Sequence, residues 1–165
     1  MKRVLLAVIA GLILLVVGVT GVGYALPQSH VAFRDATFAA PASAVFATVS
    51  DVGRYPEWRS GLSRVEVLQS DPLKWREHSG GDVVTFEVVE SKRDQRFKVR
   101  IADTDLPFGG TWTYELMPQG TETRLRITEN GEVYNPVFRF VSRFVMGHTA
   151  TIDAYLADLG RRLAS

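Results

Sequence analysis

Residues 111–128, TWTYELMPQGTETRLRIT, decide the fold of this chain. In the first half of this stretch Trp112 and Tyr114 are two positions apart, and in the second half Leu125 and Ile127 repeat the spacing between arginines. A period of two places such side chains on one face of a β-strand. The sequence PQG between the halves is a turn signal. The stretch therefore predicts an antiparallel hairpin with one apolar face and one polar face.

The same alternation extends towards the N-terminus and predicts a larger antiparallel sheet. Turn signals separate the alternating runs: SDP, SGG and PFGG, in which Gly80, Gly81, Gly109 and Gly110 are interpreted as turn glycines rather than phosphate-binding loops. The predicted strands are residues 30–39, 65–68, 73–77, 82–90, 95–103, 111–117 and 122–128. Such a sheet has an apolar face that another element must cover.

Helical patterns flank these strands. A short helix is predicted at residues 41–50, where proline suits the first turn, and a broken helix or turn at residues 51–61. Asn135 followed by proline indicates a helix start, and apolar residues at three- and four-residue spacing extend the predicted helix over 136–163. Gly147 falls inside this helix and marks a possible bend or close approach.

Several motifs carry a family resemblance. They are PASAVFATVSD at 41–51, YPEW at 55–58, GTWTYEL at 110–116, TRL at 123–125, and the last helix with Tyr155, Leu156 and Leu159. In this order they resemble the SRPBCC/START-like helix-grip superfamily, in its polyketide cyclase/dehydrase-like branch. The resemblance covers about residues 30–163.

The resemblance implies an α+β helix-grip fold. A curved antiparallel sheet is expected to wrap around a long C-terminal helix, with two short helices after the first strand. It also implies a cavity between sheet and helix that holds an apolar ligand. No particular reaction follows, because the superfamily includes enzymes, carriers and receptors.

The N-terminal segment has the length and composition of a membrane span. Residues 4–26 carry no charged side chain and would form a helix of about 34 Å, against about 30 Å for a bilayer core. Lys2 and Arg3 precede this run and the next basic residue is Arg34, which predicts a cytoplasmic N-terminus and an extracytoplasmic domain. Two other interpretations stay open: a signal peptide cleaved after the small-residue sequence GYA at 23–25, and a buried helix.

The chain therefore divides into residues 1–27, a membrane anchor or signal peptide, and residues 28–165, the helix-grip domain. The 165 residues include 19 basic and 18 acidic ones, and because Lys2 and Arg3 belong to the anchor, the domain has a net charge of −1. A charge this small does not favour nucleic-acid binding. The chain has no cysteine, and its three histidines, His30, His78 and His148, are far apart, so no metal site and no cofactor are predicted.

Polar candidates for the site are identified by their position relative to the apolar repeat of each predicted strand or helix. Glu129 lies on the covered face if its strand continues past Ile127, and its pKa is then raised unless a cation or several hydrogen-bond donors meet it. If the strand ends at residue 128, Glu129 lies in a solvent-exposed turn. His148 falls on the covered stripe of the last helix, as a hydrogen-bonded core residue or as a ligand contact. Tyr134 precedes the helix cap and either donates its hydroxyl at the cavity mouth or packs there.

Aromatic residues form the other part of the candidate lining. They either contact a ligand or pack as core, and they are Trp58, Phe86, Phe97, Trp112, Tyr114, Phe138 and Tyr155. A basic alternation, Arg96, Lys98 and Arg100, is interpreted as a solvated strand face or as a surface for anionic lipid headgroups.

Three functions fit these observations. The first is a membrane-anchored, exported domain, in the cell membrane through residues 4–26, that binds a lipid or another hydrophobic small molecule in its cavity. The second is a cyclase/aromatase-like or dehydratase-like enzyme in which Glu129, His148 or Tyr134 moves protons. The third is a structural or interaction module whose cavity is filled by its own aromatic side chains. No catalytic residue is assigned by the sequence.

Overall fold

The computed structural model describes residues 1–147 and 149–165. The chain starts with helix α1, Lys2–Ala25, which is followed by a sheet and three further helices. Helix α1 has a mean hydropathy of 2.8 over its most apolar window, and none of that window is buried in the protein. Its length and composition suit a membrane crossing, and a signal sequence has the same properties.

Seven strands form one antiparallel sheet, as the alternating pattern predicts. The strands are β1 Ser29–Phe38, β2 Arg64–Ser70, β3 Leu73–Ser79, β4 Asp82–Lys92, β5 Arg96–Ile101, β6 Phe108–Gln119 and β7 Glu122–Val133. Their order in the sheet is β1-β7-β6-β5-β4-β3-β2, so the first and last strands of the chain are neighbours. Register shifts between β2 and β3 and between β4 and β5 are irregularities of the kind that bend a sheet.

Two short helical elements follow β1, in the predicted positions. Helix α2, Ala42–Ser50, buries Val45 and Val49 completely, and a 3-10 helix, Val52–Glu57, follows it. The Tyr55 hydroxyl donates a hydrogen bond of 2.6 Å to the Val49 carbonyl and so ties the two elements together.

The C-terminal helical region is interrupted, so the prediction of one helix over 136–163 is wrong. Helix α3, Pro136–Val141, continues into a π-helical turn, Ser142–Met146, and Gly147 then has a φ of 74°. This left-handed conformation suits glycine and ends the helix. Helix α4, Ala150–Leu163, starts afterwards.

Helix α4 covers the sheet together with α2, which packs on β5, β6 and β7. The apolar stripe of α4, which includes Ile152 and Leu159, is fully buried. The Asp158 carboxylate on the same helix is also buried, and it accepts hydrogen bonds from the backbone N–H and the hydroxyl of Ser60 at 2.6 and 2.8 Å. These bonds fasten the segment after the 3-10 helix to α4. The α+β helix-grip class predicted from sequence is confirmed.

Two glycines interpreted as turn residues lie in a strand instead. Gly109 and Gly110 belong to β6, and Gly110 pairs with Gly131 of β7. A Cβ on Gly110 would overlap the Asn130 carbonyl oxygen, and one on Gly109 would overlap the Tyr134 hydroxyl. These glycines therefore permit close approach of neighbouring groups rather than a change of chain direction.

Candidate functional site

Glu129 lies on the covered face of the sheet. Strand β7 runs on to Val133, so the interpretation of a turn at residues 129–131 is wrong and the alternative, a continuing strand, is confirmed. Glu129 pairs with Trp112 of β6 on one side and with Ala32 of β1 on the other. Its side chain is 21% exposed.

His30 of β1 faces this carboxylate. Its Nε2 lies 3.6 Å from Glu129 Oε1, within ion-pair distance but longer than a hydrogen bond. His30 pairs with Gly131, and a Cβ on Gly131 would overlap the imidazole ring. The glycine thus leaves the space that the ring occupies. The sequence did not indicate His30 as a site residue, because its pairing with β7 joins positions about a hundred residues apart.

Burial raises the pKa of the Glu129 carboxyl from 4.5 to about 7. Desolvation disfavours the charged form, and no hydrogen-bond donor is positioned to offset it among the described residues. A carboxyl group with this pKa is present in both protonation states near neutral pH. It can therefore donate or accept a proton, or accept a hydrogen bond from a polar ligand.

A pocket of about 210 Å³ opens beside His30, where α1 meets the domain. We call it the junction pocket. Its lining residues are Leu26, Pro27, Ser29, His30, Val133, Arg139, Ser142 and Arg143. This volume is below the roughly 300–1,000 Å³ of a typical site for a drug-sized ligand, so as it stands the pocket admits a small molecule or one end of a longer one.

Arg139 forms one wall of the junction pocket, and its partners among the described residues are main-chain carbonyls. Its Nε donates to Val133 at 2.7 Å and its Nη2 to Tyr134 at 3.0 Å. Its Nη1 reaches the Gly23 and Leu26 carbonyls at 3.3 and 3.4 Å. The arginine thus links the last strand to the carbonyl end of α1, where a cation is favoured by the helix dipole.

Most of the aromatic candidates pack against one another between the sheet and α4. Trp58 and Tyr155 have ring centroids 5.3 Å apart, and Tyr114 and Tyr155 5.4 Å. Trp112 is 6.4 Å from Tyr155. We call this cluster the aromatic interior, and its members are Tyr55, Trp58, Trp75, Phe86, Phe97, Trp112, Tyr114 and Tyr155. These rings lie in the region between sheet and helix where the resemblance implies a ligand cavity.

A buried ion pair lies within the aromatic interior. Arg59 Nη1 donates to Glu77 Oε1 at 2.8 Å, and Trp75 Nε1 donates to the same oxygen at 3.0 Å. The Arg59 guanidinium also stacks over the rings of Tyr55 and Tyr155, at 4.8 and 5.0 Å from their centroids. The pair was not predicted from sequence, although the phase of β3 places Glu77 on the face of Trp75.

Two further candidates, Tyr134 and Phe138, lie elsewhere. Tyr134 is exposed and its hydroxyl donates to Glu132 at 2.9 Å, away from Glu129. Phe138 is exposed on α3. His148 lies outside the described residues. Among the described residues, no group of three or more His, Cys, Asp or Glu side chains could hold a metal ion.

The basic strand face is balanced by acidic neighbours. Arg100 pairs with Glu87 at 3.0 Å, and Arg96 lies 3.4 Å from Glu90. An open groove of about 370 Å³ beside Arg96 is also lined by Glu115 as well as by basic residues. This pairing favours the interpretation of a solvated strand face over that of a headgroup surface.

Comparison with solved structures finds the same fold in proteins of low sequence identity. A conserved protein from Geobacillus kaustophilus superposes with a TM-score of 0.70 at 16% identity, over 82% of this chain and 95% of that one. A START superfamily protein from Mycobacterium smegmatis gives 0.66 at 19% identity, over 82% and 97%. The ZhuI aromatase/cyclase from Streptomyces sp. R1128 gives 0.65 at 16% identity, over 82% and 94%.

One of the two sequence comparisons, that with family models, agrees with the structural comparison. No curated protein sequence matches the chain significantly. A family model described as polyketide cyclase/dehydrase and lipid transport matches residues 30–164, nearly the whole chain after α1. The family resemblance predicted from the sequence motifs is therefore confirmed, and the chain belongs to the polyketide cyclase/dehydrase and lipid transport family.

Proposed function

We propose that this protein is a membrane-anchored domain that binds a lipid or another hydrophobic small molecule in the junction pocket. The observation that carries the proposal is the position of this pocket. It opens between the end of an apolar helix and the domain. His30 lines its wall, and the Nε2 atom of His30 lies 3.6 Å from the half-buried Glu129 carboxylate. The family description, which includes lipid transport, supports the ligand class.

The ligand expected from this geometry is amphipathic. Leu26 and Val133 supply apolar wall, whereas His30 and Arg143 supply polar and cationic groups. No carboxylate of the described residues lies within ion-pair distance of Arg143. A ligand with an apolar body and an acidic or hydrogen-bonding end, such as a fatty acid, satisfies both parts of the lining.

We further propose that α1 is retained as an anchor, with residues 1–27 as the membrane segment and residues 28–165 as the exported domain. The contacts of α1 support retention. Gly23 packs so tightly on Pro136 that a Cβ would overlap its carbonyl, and Arg139 binds carbonyls of Gly23 and Leu26. Cleavage after Ala25 would remove the Gly23 contacts from the domain. The charges of Lys2 and Arg3 favour the N-terminus in the cytoplasm.

The ligand proposal is tested on the full-length protein purified from membranes. Native mass spectrometry and solvent extraction would identify a co-purified ligand, and a fluorescent fatty acid would serve as the displacement probe. We expect one bound hydrophobic molecule per chain, released by the probe. A chain that carries no ligand and does not bind the probe would contradict the proposal.

The anchor is tested separately. N-terminal sequencing of the mature protein and alkaline extraction of membranes should give an intact N-terminus and a chain that stays in the membrane fraction. Protease that is given access to the outer side of an intact cell membrane should digest the domain. A mature N-terminus at or near Leu26 would establish a cleaved signal peptide instead.

A second candidate function rests on the pKa of Glu129. A carboxyl group that titrates at about 7 beside a histidine is suited to general acid–base catalysis. This fits a cyclase- or dehydratase-like reaction on a ketide-like chain. If a linear poly-β-ketone thioester is converted by the protein, Glu129→Gln should abolish turnover and retain binding. Unchanged turnover in this variant would exclude the role.

A further inference from the structure

Helix α3 packs on the C-terminal end of α1. Gly23 is the one buried residue of α1, and it contacts Pro136, the first residue of α3. Arg139, one turn further along α3, binds the Gly23 and Leu26 carbonyls. The start of α3 is therefore fixed beside the last turn of α1.

This contact sets the height of α3 relative to a bilayer. Helix α1 has 24 residues and is about 36 Å long, whereas the bilayer core is about 30 Å thick. The apolar run extends to Leu26, three residues beyond Gly23. Once α1 crosses a membrane, an element packed at Gly23 lies in the boundary between headgroups and acyl chains.

The surface of this region is apolar. We call residues 136–146, which comprise α3 and the π-helical turn, the amphipathic segment. Val137, Phe138, Phe144 and Val145 are exposed to between 39% and 72%. Water-exposed clusters of large apolar side chains are unfavourable and indicate a surface that another phase or molecule covers. Arg143, in the same segment, is also exposed.

We propose that the amphipathic segment is a second membrane contact, which lies in the interface at the C-terminal end of α1. Its exposed valines and phenylalanines insert between acyl chains, and Arg143 lies at the level of the lipid phosphates. The junction pocket, which Arg139, Ser142 and Arg143 help to line, then opens at the membrane surface. The inference rests on the proposed function, because it requires α1 to cross the bilayer.

The lipid interface is favoured over a second protein copy by continuity. The apolar surface of the amphipathic segment adjoins the apolar surface of α1, of which Gly23 is the one buried residue. One apolar phase covers both surfaces when α1 is in a membrane. The combination of aromatic and aliphatic side chains with a nearby arginine is typical of helices that lie in the bilayer interface.

The chain has no cysteine, so single spin labels can be attached at chosen sites. The full-length protein would be reconstituted in phosphatidylcholine vesicles that contain a minor fraction of phosphatidylglycerol. Labels would be placed by Phe144→Cys and Val145→Cys in the segment and by Leu14→Cys in α1. Val89→Cys is the matched water control, because Val89 is an exposed valine of β4. Accessibility to oxygen and to a water-soluble nickel chelate would be measured.

We expect labels at 144 and 145 to show a several-fold higher ratio of oxygen to nickel accessibility than the label at 89, as the label at 14 should. Water-like ratios at 144 and 145, with a lipid-like ratio at 14, would overturn this inference and leave the anchor intact. A water-like ratio at 14 would refute the anchor itself. Spin–spin broadening at 144 and 145 would show that a second copy covers the segment and would also overturn the inference.

Discussion

The aromatic interior and the junction pocket adjoin the same covered sheet face, but the carboxylates near them differ in their hydrogen-bond partners. In the aromatic interior, Glu77 accepts hydrogen bonds from Arg59 and Trp75 at 2.8 and 3.0 Å. Beside the junction pocket, Glu129 has His30 at 3.6 Å, and burial raises its pKa to about 7. The first carboxylate has two hydrogen-bond donors, whereas the second has no donor at hydrogen-bond distance among the described residues.

We interpret the aromatic interior as structural and the region of Glu129 as the proposed site. A buried charge with a full set of partners holds neighbouring elements in place. A desolvated carboxyl group without such partners can still take up a proton or accept a hydrogen bond from a ligand. The aromatic candidates predicted as ligand contacts belong mostly to the first region, where they contact one another.

The largest effect is expected from breaking the pair in the aromatic interior. Glu77→Leu leaves Arg59 buried without its carboxylate, and unpairing a buried charge costs about 3–5 kcal/mol of unfolding free energy. Urea denaturation measures this loss. The control is Glu87→Leu, which removes the exposed pair with Arg100 and should cost at most about 1 kcal/mol.

A double variant sharpens this test. Arg59→Met together with Glu77→Leu replaces the pair by apolar side chains of similar size, and should recover most of the stability lost in Glu77→Leu. If Glu77→Leu costs no more than Glu87→Leu, the ion pair does not hold the interior together.

The next effect concerns Glu129 and depends on pH. The folded chain raises the pKa of this carboxyl from 4.5 to about 7, so the folded state binds its proton more tightly. The contribution of this carboxyl to the free energy of unfolding is fully present below pH 4.5 and is lost as the pH rises through 7. Glu129→Gln should therefore stabilise the protein at about pH 8 by up to about 3 kcal/mol and have little effect at about pH 4.

Chemical denaturation of both proteins across this pH range measures the difference. Glu132→Gln, on the same strand but exposed, is the matched control for the substitution itself. His30 also faces Glu129. The relevant quantity is therefore the difference between wild type and variant, and an equal difference at both ends of the range would contradict the assignment.

The smallest effect concerns a hydroxyl group of the aromatic interior. The Tyr155 hydroxyl is buried near the hydroxyls of Tyr55 and Tyr114, but no described residue makes a hydrogen bond of good geometry with it, whereas the Tyr55 hydroxyl donates to Val49. Tyr155→Phe should leave the unfolding free energy unchanged or raise it by about 1 kcal/mol, and Tyr55→Phe should lower it by about 1 kcal/mol. Thermal denaturation measures both variants, and a larger loss in Tyr155→Phe would show a partner or role for that hydroxyl.

The sheet could be predicted from sequence because its signal is local. The alternation in residues 111–128 identified two strands and placed Glu129 on the covered face if the second strand continued. The break at Gly147 was harder to predict, because apolar spacing continues on both sides of it and a glycine costs a helix only about 1 kcal/mol. Its backbone conformation depends on where α3 and α4 pack.

The candidate site was only partly predictable because its contacts join distant parts of the chain. His30 meets Glu129 through the β1–β7 pairing, and Arg59 meets Glu77 through the segment after the 3-10 helix. No local pattern encodes either distance. The sequence of the aromatic candidates is the same whether they contact a ligand or one another. Which contacts they make depends on how closely α4 packs on the sheet.

The most direct test of the account asks where a hydrophobic ligand binds. Native mass spectrometry would measure the fraction of full-length chains that retain a fatty acid in wild type, in Ser29→Trp, which fills the junction pocket from its rim, and in Ser70→Trp, an exposed control on β2. Trp58→Phe perturbs the aromatic interior. We expect loss of the bound fraction in Ser29→Trp alone. Retention in Ser29→Trp with loss in Trp58→Phe would place the site in the aromatic interior and contradict the account.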